Sequence, residues 1–265
     1  MKTSQAGFSL LEISLAMSLG AILAVSYLYN QSRDDQINTA KVQAGYFLQV
    51  SDAVGRYMQN FYDDLIVVPA ACGNLTWTDG KVTAVAASNC RFTTGSASGM
   101  NNPVNAMAPT VAELQKLDML DKSFSNSFLW ATVKKDASGY TTRIQQWCNS
   151  KVTAEPSSCS SAIQLKSLTF NSTAFDKPDA ANFFRLMRYE QLETAITVMG
   201  GDGFMSMEPE ADTEGSGKLY GLGRKISVDN PVKLASGPGG SGKGSDGILA
   251  VQNGVDIRCS AAQRR

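Results

Sequence analysis

From Phe8 to Tyr29 the chain runs 22 residues without a Lys, Arg or Asp and carries one carboxylate, Glu12. At about 1.5 Å of rise per residue, a helix of that length crosses the hydrocarbon core of a bilayer. Glu12 is out of keeping with such a run. A carboxylate well inside an insertion-competent helix costs about 2.5–3.5 kcal/mol, so it calls for a partner and is a functional candidate. A secretory signal carries its small-residue cleavage site after the apolar stretch. Here the small-residue junction, Ala6-Gly7 before Phe8, precedes it and comes after a short polar leader containing Lys2.

Beyond Tyr29 the apolar pattern changes from a block to a seam. Ile37, Ala44, Met58 and Leu65 fall on one seven-residue series, with Ser51 in the remaining slot, and Ala40, Phe47, Val54 and Phe61 fall on another. The two series interleave into a stripe of period 3.5, expected where a long helix packs along a partner, whether another chain or its own domain's sheet. Residues 69–73, opening with Pro69, stop it. The pattern predicts one helix from Phe8 to Leu65, about 85 Å long.

The remainder alternates between short elements. Residues 74–109 are rich in Asn, Gly, Ser and Thr and read as a loop-bearing insertion. Thr110-Val111-Ala112-Glu113 is a capping box that opens a helix with Leu114, Leu117 and Leu120 on one side. Two strand-like runs, Phe128 to Lys134 and Tyr140 to Trp147, flank Asp136-Ala137-Ser138-Gly139 and read as a hairpin. A helical run from Ala180 to Met199 stops at Gly200-Gly201. Gly203 to Met207 and Lys218 to Val228 read as further strands.

Twenty-four basic and 24 acidic residues cancel, so nothing points to a phosphate-binding surface for nucleic acid. Histidine is absent, which removes Ser-His-Asp and Cys-His catalysis and most zinc sites. No catalytic, metal or cofactor set is expected. Asp63-Asp64 and the group Glu208, Glu210, Asp212, Glu214 read as solvated loop charge, with a surface calcium site as the alternative. Five cysteines suit an oxidising compartment. Spacing suggests Cys72 with Cys90 and Cys148 with Cys159, each loop worth about 2–4 kcal/mol, although sequence does not fix connectivity. Cys259 is left over, a free thiol or one bonded elsewhere.

The hexapeptide spanning the junction, Gly7-Phe8-Ser9-Leu10-Leu11-Glu12, resembles the prepilin leader of type IV pilins and pseudopilins. The resemblance implies cleavage between Gly7 and Phe8 by a prepilin peptidase, methylation of the new Phe8 amine, and retention of the apolar helix. It also implies that Glu12 pairs with the terminal amine of a neighbouring subunit during assembly. The order of Tyr46-Phe47-Leu48-Gln49, Tyr57 to Tyr62, residues 110–114, residues 124–128, Gln145-Gln146, residues 200–203 and Tyr220-Gly221 is similar to the shufflon-type minor pilins (PilV) of type IVb pili. The seven-residue leader and Phe8 look more like the type IVa class.

The implied architecture is α+β: a type IV pilin fold with a long N-terminal helix, half transmembrane and half amphipathic, packed on an antiparallel-sheet head. Its divisions are a leader (1–7), an assembly helix (8–29), the globular domain (30–235), and a Gly/Ser-rich linker and tail (236–265). Gly237 to Lys243 matches the first seven places of a P-loop, but Gly244 replaces the metal-binding Ser or Thr and no strand leads in, so it reads as linker. Ile248 to Val251 could add one strand. The expectation is a non-enzymatic minor pilin, a structural subunit at or near a pilus tip. It starts in the inner membrane and is then extracellular, with other pilin subunits, the prepilin peptidase, the inner-membrane assembly machinery and a cell-surface ligand as partners. Alternatives are a pseudopilin of a type II-like secretion system and a membrane-anchored periplasmic protein or enzyme.

Overall fold

The computed structural model describes residues 10–78, 81–84, 88–92, 102–125, 139–148, 151–152, 159, 163–171, 182–206, 218–222, 227–229 and 248–255. The architecture is α+β. Helix α1, Leu10–Asn60, runs 51 residues, about 76 Å. It breaks at Phe61 and resumes for one turn as α2, Tyr62–Leu65, so the expected single helix to Leu65 is two pieces.

From Ala40 onward one side of α1 is core. Ala40, Ala44, Phe47, Val54 and Met58 are fully buried, as the seam requires, and so are Gln43, Val50, Ala53 and Tyr57 beside them. Ile37 and Phe61, also on the expected series, are half-buried. The buried stripe is thus broader than a two-position seam, which is what a helix lying on a sheet needs. Polar groups in this face are matched. The Gln43 amide donates to the Tyr140 hydroxyl at 2.7 Å, and Tyr57 donates to the Ala106 carbonyl at 2.9 Å.

A small hairpin of β1 (Leu75–Thr78) and β2 (Lys81–Ala84) stands apart from the main sheet. Helix α3, Val111–Lys116, opens at the expected capping box. The sheet is built from β3 (Tyr140–Cys148), β4 (Lys151–Val152), β5 (Gln164–Asn171), β6 (Gly203–Ser206), β7 (Lys218–Gly221), β8 (Ser227–Asp229) and β9 (Leu249–Val255). Among the described residues these seven strands lie in the order β4-β3-β5-β9-β6-β7-β8, every ladder antiparallel. Helix α4, Asn182–Met199, crosses between β5 and β6 and packs on α1. It ends where Gly200 adopts φ +68°, the left-handed conformation that closes many helices. The main core lies between the helices and the sheet. A smaller cluster of Phe170, Phe204, Leu219, Ile248 and Ala250 fills the opposite face.

Several expectations change. The run 218–228 is two strands, β7 and β8. The partner run 128–134 lies outside the described residues, and β3 pairs with β4 and β5. The loop-bearing 74–109 segment carries the β1–β2 hairpin, and its turn residues Ala106, Met107 and Ala108 are buried. Asn105 holds them there, donating to the Cys72 carbonyl at 2.9 Å and accepting from Met107 N at 2.9 Å. Strand β9, which follows residue 235, lies between β5 and β6 in the main sheet.

Candidate functional site

The N-terminal part of α1 leaves the head. Arg33 and Glu190 of α4 form a forked ion pair, with Arg33 Nε donating to Glu190 Oε2 at 3.0 Å, and the Gln191 amide donates to Gln36 at 3.0 Å. These contacts mark where the helix meets the domain. From Leu10 to Asp35 every residue whose side chain is described is exposed. Residues 10–32 therefore make about 34 Å of exposed helix.

That projection is apolar all round. Met17 is 72% exposed, Ile22 63% and Leu23 69%, on three different sides of the helix. A helix hydrophobic all round belongs inside a protein or a membrane. This is also the one described helix long and apolar enough to cross a bilayer, and its most apolar window is not covered by the head. Two of its hydroxyls are satisfied within the helix: Ser18 donates to the Ser14 carbonyl and Ser26 to the Ile22 carbonyl, both at 2.8 Å. Such back-bonding lets serine sit in an apolar medium. Glu12 lies in the first described turn, is exposed, and is the only acidic or basic residue from 10 to 32.

Of the other sequence candidates, Gly7, Phe8 and Cys259 lie outside the described residues. Cys72 is bonded to Cys90 and Cys148 to Cys159, with Cα separations of 5.4 and 5.8 Å. The first bond joins the turn at Ala70–Gly73 to the one at Ser88–Cys90; the second joins the end of β3 to the approach to β5. Among the described residues no three His, Cys, Asp or Glu side chains gather as a metal site. Asp64 lines an open cavity of about 230 Å³ with Val67, Pro69, Arg91 and Phe92. The group 208–214 and the 237–243 segment lie outside the described residues. The triplets Asn74-Leu75-Thr76 and Asn171-Ser172-Thr173 match a glycosylation pattern; Asn74 is exposed, whereas Asn171 is fully buried and accepts from Leu249 N at 2.7 Å.

No known protein family, characterised protein or solved structure matches the chain.

The electrostatics of the head concern structure. Burial raises the Tyr57 and Tyr140 hydroxyls well above the ordinary phenol range, so both act as neutral hydrogen-bonding groups. The hydrogen bond from Arg33 holds the Glu190 carboxylate below its usual range. Sequence reading found Glu12 from its neighbours alone but missed Arg33, Gln36, Glu190 and Gln191. No local signal marks contacts that span more than 150 positions.

Proposed function

We propose that this chain is a minor type IV pilin, a structural subunit and not an enzyme. The carrying observation is the exposed apolar projection of α1 with its single carboxylate, Glu12, standing five places after the Gly7-Phe8 junction. Before assembly that projection sits in the inner membrane with the head outside. Assembly moves it from lipid into a bundle of like helices, so its apolar surface stays covered. Glu12 then meets the Phe8 amine of a neighbour, and breaking such a buried pair costs about 3–5 kcal/mol. The head, stapled by two disulfides, suits an oxidising exterior. A pseudopilin of a secretion system uses the same helix and differs in the machinery it joins. Placement at a conjugative or adhesive tip, and a cell-surface ligand for the head, rest on the PilV-like order of motifs.

The test is the intact mass of the membrane-extracted protein, with and without a functional prepilin peptidase. The expected mature chain lacks residues 1–7 and carries one added methyl group. Gly7→Ala stays unprocessed, and Glu12→Ala is processed but missing from sheared filaments. A chain left whole, or cut after Tyr29, excludes the pilin reading and favours a plain membrane anchor carrying a periplasmic domain.

A further inference from the structure

The cavity beside Asp64 lies at the other end of α1 from its projecting half. Helix α1 runs through the core to Asn60, and α2 follows at Tyr62–Leu65. The cavity opens between α2 with its following turn, Val67 to Pro69, and a second turn, Asn89 to Phe92.

Both sides are braced. Cys72, three places after Pro69, is bonded to Cys90, next to Arg91. Asn102 grips Phe92 by both backbone groups, accepting from its N at 3.3 Å and donating to its carbonyl at 2.8 Å. The buried Gln146 amide donates to the Leu65 carbonyl at 2.8 Å and to the Val68 carbonyl at 3.0 Å, which fixes the turn after α2. Phe92 packs on Phe61 with ring centres 5.6 Å apart, and Phe61 on Tyr57 at 5.3 Å. A cavity braced in this way is pre-formed, so a ligand entering it does not have to order the walls.

The lining divides by chemistry. Val68 and Phe92 are 4% and 5% exposed and form an apolar floor. The charged groups are one of each sign: Asp64, which only accepts hydrogen bonds, and Arg91, which only donates them. Among the described residues the ion pairs are Arg33–Glu190 and Lys122–Asp118, so Asp64 and Arg91 share the cavity without joining each other. Two unlike charges beside an apolar floor suit a ligand of zero net charge that carries an ammonium, a carboxylate and an apolar body. Size narrows the class. An apolar cavity of about 150 Å³ takes up benzene, so one of about 230 Å³ has room for about nine non-hydrogen atoms. A free amino acid with an aliphatic side chain, such as leucine, is of this size.

We propose that the cavity is a binding site for a small zwitterion, a free aliphatic α-amino acid. Its ammonium meets Asp64, its carboxylate meets Arg91, and its side chain rests on Val68 and Phe92. The guanidinium fork matches a carboxylate with two parallel hydrogen bonds. Because the cavity is open, both charges keep part of their hydration, and affinity is modest, with a dissociation constant of about 1 mM. The site does not depend on how α1 is housed, so it stands or falls separately from filament assembly.

The test is saturation-transfer NMR on the full-length chain in detergent micelles, with micelles alone as the blank. The ligands are leucine and two analogues that each lack one charge: leucinol, without the carboxylate, and isocaproate, without the ammonium. Wild type should bind leucine about tenfold more tightly than either analogue. Arg91→Gln should weaken leucine about tenfold and leave leucinol unchanged, whereas Asp64→Asn should weaken leucine about tenfold and leave isocaproate unchanged. Circular dichroism checks that each variant is folded, and the comparison of the three ligands on wild type decides the matter without either variant. Leucine bound no more tightly than its analogues, or equally by wild type and both folded variants, overturns the proposal. So does the absence of saturable leucine binding up to about 20 mM.

Discussion

Gly73 lies where the turn after Pro69 runs against β3. A Cβ there would stand 2.5 Å from the Ile144 carbonyl oxygen, and the Gly73 carbonyl itself accepts from Arg143 Nε at 2.7 Å. The atom a Cβ would strike is backbone and cannot swing aside as a side-chain end could. Gly73→Ala is expected to cost about 1–3 kcal/mol in urea unfolding, whereas Gly20→Ala, with open space around it, leaves head stability unchanged. The Arg33–Glu190 pair gives a pH signature. The folded-state pKa of Glu190 is depressed, so its contribution is present above the unfolded value and is lost as pH falls through the folded one. Thermal melts across about pH 3–6 should show wild type ahead of Glu190→Gln above about pH 4.5, with the two converging in acid and in high salt. The capping box at Thr110 and Glu113 was readable because it is local: Glu113 N donates to Thr110 Oγ1 while the Glu113 carboxylate accepts from Thr110 N. Gly73 and Glu190 were not readable, because their roles are set by residues 70 and 157 positions away.

Helix α1 joins two different environments in one element. Phe47 is fully buried and packs edge-on against Tyr140 with ring centres 4.9 Å apart, while Leu23 faces outward. Phe47→Ala is expected to cost about 3–5 kcal/mol, read as a lower urea midpoint, and Leu23→Ala almost nothing in the same assay. The seam between Ala40 and Met58 announced the buried half, and the uninterrupted apolar block announced the projecting half. Strand β5 carried no such notice. Its helix-facing positions include Ser167 and Thr169, both buried, so the alternation that marks a half-buried strand is blurred. The segment around Ala106 to Ala108 was obscured in the same way: its polar neighbours read as loop, yet the Asn105 side chain satisfies the backbone that those residues bury, and Ile144 N donates to the Met107 carbonyl at 2.7 Å.

At the scale of the whole molecule, the chain is a two-layer α+β head with a helix that outruns it. Arg33 and Gln36 of α1 pair with α4, and residues 10–32 are exposed wherever their side chains are described, so a chain beginning at residue 33 should remain folded and become soluble without detergent. Circular dichroism and sedimentation of the purified fragment check this. The opposite end behaves differently. Ending the chain at residue 247 removes a strand paired on both edges and four buried residues, so the truncated chain should lose cooperative unfolding, although it keeps all of residues 30–235.

Properties carried by neighbours in sequence were legible before any fold was known. The apolar block with Glu12, the period of the seam, the capping box, the helix stop at Gly200 and the short cysteine spacings each depend on residues within a few turns or one loop. Properties that depend on distant pairing were not. The place of β9 between β5 and β6, the inward turn of polar residues on β5, and the clasp of Arg33 on Glu190 arise because the free energy of a sheet and core is shared among segments far apart in the chain. No local pattern records which of them will meet.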